Sequence, residues 1–165
     1  MNETLFLVCP TDCLEARINK QYTTVNYFYT SLGNSFNIDH VSLKNIQELI
    51  TNHSIKNIYF VLSSNNRFIL DALEGHFFLK NSSLKTFYEE IQKQKIHSEK
   101  TWVTDHSEHL IISHFLNKKI NQLQEEFANF ITHPIHIKGL VYNKCKNSFL
   151  DVYSNLTIIK NHQLN

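Results

Sequence analysis

A chain of 165 residues that is 42% hydrophobic and 19% charged is long enough to bury one ordinary core and too apolar to stay disordered. Its net charge of +1, carried mostly by scattered lysines with Arg17 and Arg67 as the arginines, excludes a nucleic-acid binder that works by neutralising phosphates. The longest apolar runs, Leu5–Cys9 and Ile58–Leu62, are too short to cross a bilayer, and Met1–Thr4 carries Glu3 without the basic residue of a secretory signal, so a cytoplasmic protein is expected.

Thr4–Cys9 is a short apolar run ending in Cys9-Pro10-Thr11-Asp12, the pattern of a buried strand followed by a turn. Leu14 and Ile18 then open a helix. Asn26–Leu32, aromatic and β-branched, predicts a second strand closed by Gly33-Asn34. Ser42 is placed to cap a helix whose apolar face is Leu43, Ile46, Leu49 and Ile50. Ile55–Leu62 predicts a third buried strand, followed by the polar loop Ser63-Ser64-Asn65-Asn66. Phe68, Ile69, Ala72 and Leu73 fall at helical spacing, and Ser83 caps a further helix bearing Leu84, Phe87, Tyr88 and Ile91. A long helix is expected over about Ser107 to Ile131, with Leu110, Ile111, Phe115, Ile120, Leu123, Phe127 and Phe130 as its stripe. Pro134 starts the strand Ile135–Tyr142, and Asn147 separates it from a hairpin partner over Phe149–Tyr153.

Strand–helix alternation over the first three units implies parallel strands with right-handed crossovers, and the last two strands are close enough to pair antiparallel. The expected class is therefore α/β: a mainly parallel sheet with flanking helices and an antiparallel edge strand. Three glycines and two prolines leave no flexible linker, so residues 1–165 read as one domain. In such sheets ligands bind beyond the carboxyl ends of the strands. Three loops meet there: Cys9 to Cys13, Thr30 to Ser35, and Ser63 to Arg67. They are rich in small polar groups, and two stand at helix starts, where free N–H groups favour an anion. The same loops also read as ordinary caps and turns.

Leu7-Val8-Cys9-Pro10-Thr11-Asp12-Cys13, then Thr30-Ser31-Leu32-Gly33-Asn34, then Ile55–Ser63 followed by Asp71-Ala72-Leu73, resemble in order and spacing the β-carbonic anhydrase family. That family has a first strand ending in Cys-x-Asp-x-Arg, a second followed by a Gly-Asn turn, and a third leading into His-x-x-Cys. The carboxyl half is similar too: a long helix with a polar face (Asn117, Asn121, Gln122) precedes the Pro134–Tyr142 strand and its Phe149–Tyr153 partner. The resemblance spans residues 4 to 154 and implies the family's fold and its tendency to form homodimers.

In the family, zinc is held by the first-motif cysteine and by the histidine and cysteine of the third motif. An open position on zinc lowers the pKa of bound water to about 7. Here Cys9 matches the first ligand. The other two fall on Ser63 and Asn66, or on Ser64 and Arg67, depending on one gap, and neutral hydroxyls and amides are poor zinc ligands. Thr11 stands where the motif has Asp, with Asp12 one residue on, and Cys13 stands where it has Arg. The resemblance thus carries the fold without the zinc reaction, and no cofactor is expected.

The former cleft, lined by Cys9, Thr11, Asp12, Cys13, Gly33, Asn34, Ser63, Ser64, Asn66 and Arg67, is expected to bind a small anion such as bicarbonate, or a protein partner. Arg67 can supply a guanidinium fork to a carboxylate or phosphate, or can pair with Asp12. The alternative is a rebuilt zinc site: Cys9 and Cys13, four residues apart, completed by a histidine and acting on carbon dioxide or bicarbonate. Cys9, Cys13 and Cys145 otherwise read as reduced thiols. Among the ten histidines, His106 and His109, with His114 beyond, share a helix face, but Asp105, Ser107 and Glu108 around them are what a solvated helix start uses.

Overall fold

The computed structural model describes residues 3–35, 38–76, 82–101, 107–128 and 134–153. Strand β1 (Glu3–Val8) is apolar at successive positions because it is covered on both faces. Leu5 and Leu7 enter one core cluster, and Phe6 and Val8 the other. Strands β2 (Val25–Thr30), β3 (Ile55–Ser63), β4 (His136–Asn143) and β5 (Ser148–Asp151) complete a sheet of order β2-β1-β3-β4-β5. All neighbours are parallel except the β4–β5 hairpin, so the predicted antiparallel edge is present.

Helix α1 (Glu15–Gln21) joins β1 to β2, and its Ile18 packs with Leu14, Phe6, Val8, Val61, Leu140 and Tyr142 on one face of the sheet. The opposite face is covered by α2 (His40–His53), α3 (Arg67–Glu74), α4 (Ser82–Thr101) and α5 (Ser107–Ala128), whose buried side chains form the larger cluster. Right-handed crossovers explain the division: from β1 the chain moves one way to β2 and then back past β1 to β3, so α1 and α2 lie on opposite faces.

Several boundaries move. Asp39, rather than Ser42, caps α2, its Oδ1 accepting the Ser42 N–H at 2.8 Å. The second strand stops at Thr30 because Leu32–Asn34 forms a 3-10 turn. Helix α5 buries Ile112, Ser113 and Leu116 in addition to the predicted stripe, because it is flanked by α4 as well as lying on the sheet. Phe130, Ile131, Asp105 and His106 lie outside the described residues, while the ring of His109 packs edge-on to Tyr153 with centroids 4.7 Å apart.

Gly139, in β4, supports α5 directly. A Cβ there would lie 2.8 and 3.0 Å from the two methyls of Val152 and 3.2 Å from Cδ1 of Ile120. A β-branched methyl cannot swing away cheaply, so Gly139→Ala is expected to destabilise by about 1–3 kcal/mol. The midpoint of urea unfolding measures this; an unchanged midpoint would mean that Val152 yields freely.

Candidate functional site

The carboxyl ends of β1 and β3 are the point where the strand order reverses, and the chain leaves them toward opposite faces. Asn34 ties these two strand ends together: its Nδ2 donates to Leu7 O and to Val61 O, both at 2.9 Å. The residue is fully buried and has φ 56°, a conformation asparagine tolerates better than most residues. Gly33 before it has φ +60°, and a Cβ would lie 3.1 Å from Cζ of Phe87, so glycine is required here on two counts.

Cys9 follows β1 directly, with its side chain wholly buried. Its Sγ accepts the Gly33 N–H at 3.1 Å and shares a hydrogen with Thr11 Oγ1 at 3.1 Å. After it, Pro10–Asp12 forms a 3-10 turn, and Cys13 takes a left-handed conformation (φ 51°). This reversal turns Asp12 toward the end of β3. Asp12 Oδ2 accepts the Ser63 N–H and Oδ1 accepts from Asn66 Nδ2, each at 2.8 Å. Burial lifts the Asp12 carboxyl above the usual aspartate range, while the donors from Ser63 and Asn66 pull it back in part.

The third loop is wired from within. Asn66 caps α3, its Oδ1 accepting the Ile69 N–H at 3.2 Å. Ser63 Oγ bonds to Asn65 Oδ1, and the Ser64 N–H donates to Tyr142 O at 2.9 Å. Arg67, the first residue of α3, is exposed.

The structure therefore brings Cys9, Thr11 and Gly33 together around one sulfur, and Asp12, Ser63 and Asn66 around one carboxylate. The Arg67–Asp12 ion pair offered by the sequence gives way to Ser63 and Asn66, which take both carboxylate oxygens. Asn34 and Asn66 are fully buried and spend their amide hydrogens on the protein frame. Thr11, Cys13 and Arg67 are exposed, and Ser64 is half-buried. Cys13 turns its thiol to Pro10 O at 3.5 Å, whereas Cys9 is enclosed. No sequence pattern marks the Gly33 N–H to Cys9 contact, which joins residues 24 apart through a backbone donor.

A zinc ion would need three protein ligands around an open position. The loops supply one buried thiol, the exposed thiol of Cys13 turned to Pro10 O, a carboxylate with both oxygens engaged, and otherwise hydroxyls, amides and a guanidinium. Among the described residues no three of His, Cys, Asp and Glu are grouped to hold a metal, and the cleft residues do not fit zinc.

The sequence matches no family model and no curated protein significantly. Its fold matches solved structures closely. The β-carbonic anhydrase CafD of Aspergillus fumigatus superposes with a TM-score of 0.75 at 14% identity, over 93% of this chain and 90% of that one. A structure from the pair of tetrameric β-carbonic anhydrases of Sordaria macrospora gives 0.68 at 13% identity, covering 93% and 81%. The Coccomyxa β-carbonic anhydrase in complex with acetazolamide gives 0.67 at 12%, covering 93% and 72%. Strand order, the flanking helices and the antiparallel edge agree with this likeness: the chain has the β-carbonic anhydrase fold.

Proposed function

We propose that this chain is a cytoplasmic, noncatalytic relative of the β-carbonic anhydrases, a homodimer whose former active-site cleft binds a small anion such as bicarbonate. The observation that carries the reading is the use made of Asp12 and Cys9. A carboxylate holding two protein donors and a thiol enclosed by Gly33 and Thr11 leave, among the described residues, no three grouped ligands of the kind that hold a hydroxide-generating zinc. Charge recognition falls to Arg67, exposed at the start of α3 with a fork suited to a carboxylate or bicarbonate.

The test pairs zinc analysis of untagged protein with stopped-flow carbon dioxide hydration, before and after zinc addition. Zinc well below one equivalent and no rate above buffer are expected. Stoichiometric zinc with activity, lost in Cys9→Ser, would overturn the reading in favour of a site rebuilt on Cys9 and Cys13. Bicarbonate at ten times its Kd is expected to stabilise the protein by about 1.4 kcal/mol, or about 3–6 °C in Tm. Arg67→Ala should remove that rise; an equal rise in the variant would refute the anion site.

A further inference from the structure

We propose a second binding site, on the opposite face of the sheet from the four-helix layer, for a small aromatic carboxylate. A cleft of about 340 Å³ opens there between α1 and the β4–β5 hairpin, lined by Arg17, Lys20, Gln21, Tyr142, Asn147 and Phe149. Its volume lies at the small end of the range for small-molecule sites. Arg17 and Lys20 are three residues apart on α1 and so share a face, while Ile18 turns inward to the core. Among the described residues the lining contains two cations and no acidic residue.

The guanidinium is held in place rather than waving in solvent. Arg17 Nη1 donates to Asn147 Oδ1 at 2.6 Å, and its Cζ stands 5.3 Å from the centre of the Tyr142 ring. The Tyr142 hydroxyl donates to the same Asn147 Oδ1 at 2.7 Å, so two donors fill one carbonyl oxygen. A guanidinium has five N–H groups, and this clasp uses one. A preorganised fork loses little freedom on closing around a carboxylate.

The floor is aromatic. Tyr142 and Phe149 are cross-strand partners with ring centroids 5.1 Å apart, and Phe149 also meets Tyr22 edge-on at 6.1 Å. A flat apolar body against Phe149, with its carboxylate turned to Arg17 and Lys20, satisfies both halves of the cleft. The site shares no residue with the cleft around Cys9.

The test is titration of the full chain with benzoate, by calorimetry and by amide NMR of labelled protein, against benzamide and acetate. Benzoate is expected to bind, with amide shifts concentrated on α1 and the β4–β5 turn. Arg17→Ala should weaken it about tenfold or more, and Lys20→Ala should weaken it less. Asn147→Gly keeps the left-handed turn conformation (φ 49°) but removes the acceptor that positions Arg17, and should weaken binding several-fold. Benzamide, without the charge, and acetate, without the ring, should each bind about tenfold more weakly than benzoate. No binding of benzoate up to about 10 mM would refute the site. So would acetate binding equal to benzoate, or benzoate binding that survives Arg17→Ala. Benzoate binding abolished by Arg67→Ala would place the anion in the Cys9 cleft instead and overturn this assignment, whereas loss of bicarbonate stabilisation alone in that variant leaves it standing.

Discussion

Replacing Asn34 with alanine is expected to lower stability by about 2–4 kcal/mol, read as a fall in the urea midpoint with an unchanged slope. The amide hydrogens of Asn34 bond to Leu7 O and Val61 O and so tie the ends of β1 and β3 together. Each hydrogen bond is worth about 0.5–1.5 kcal/mol net, and two are lost. Alanine also tolerates the left-handed backbone at φ 56° poorly, which adds about 1 kcal/mol. Asn34→Gly separates these contributions, since glycine accepts the backbone but restores no donor. Most of the loss should therefore remain in Asn34→Gly. Asn34→Asp should be worse still near neutral pH, because a carboxylate would face two carbonyl oxygens. A loss below about 0.5 kcal/mol in the alanine variant would show that water reaches those carbonyls and satisfies them.

The cleft that Asn34 stitches together was legible in outline. Thr4–Val8 and Ile55–Leu62 announce the two central strands because burial on both faces demands unbroken apolar runs, and binding loops beyond their carboxyl ends follow from topology. The wiring of the loops was not legible, for physical reasons. Asp12 sits one residue past the family's position, and only the 3-10 turn over Pro10–Asp12 followed by a left-handed Cys13 brings its carboxylate to Ser63 and Asn66. A local reading of side chains has no access to that rotation. The thiol of Cys9 meets a backbone N–H, which every residue but proline has and no sequence pattern marks.

Helix boundaries failed for a different reason. Asp39 and Ser42 are both good caps, and the apolar stripe begins at Leu43, so the stripe pointed to Ser42. The first turn of α2 contributes little to the core; Val41 there is 66% exposed. With no buried residue to mark it, that turn leaves no trace in the periodicity. Conversely, Gly139 reads as an ordinary strand residue in sequence, and only the approach of Val152 and Ile120 shows why a side chain is excluded.

Asp12→Ala is expected to destabilise by about 2 kcal/mol near neutral pH, because it strips a partner from the Ser63 N–H and from the Asn66 amide that caps α3. Asp12→Asn should recover little: its oxygen can accept one of the two donors, but its own N–H groups then face the other. The pH dependence distinguishes a buried carboxylate from an ordinary surface one. Burial is the largest influence on Asp12 and raises its pKa in the folded state, so the folded protein holds this proton more tightly than the unfolded chain does. Its titration therefore contributes most to stability below the unfolded value of about 4, and that contribution is lost as pH rises through the raised folded value. The stability difference between the native protein and Asp12→Asn, measured by urea unfolding, should accordingly shrink as pH rises above about 4 and then level off. A difference that grows with pH over the same window would mean that the Ser63 and Asn66 donors outweigh burial. Asp12 would then be a carboxylate stabilised in its charged form, and the cleft a more polar place than its packing indicates.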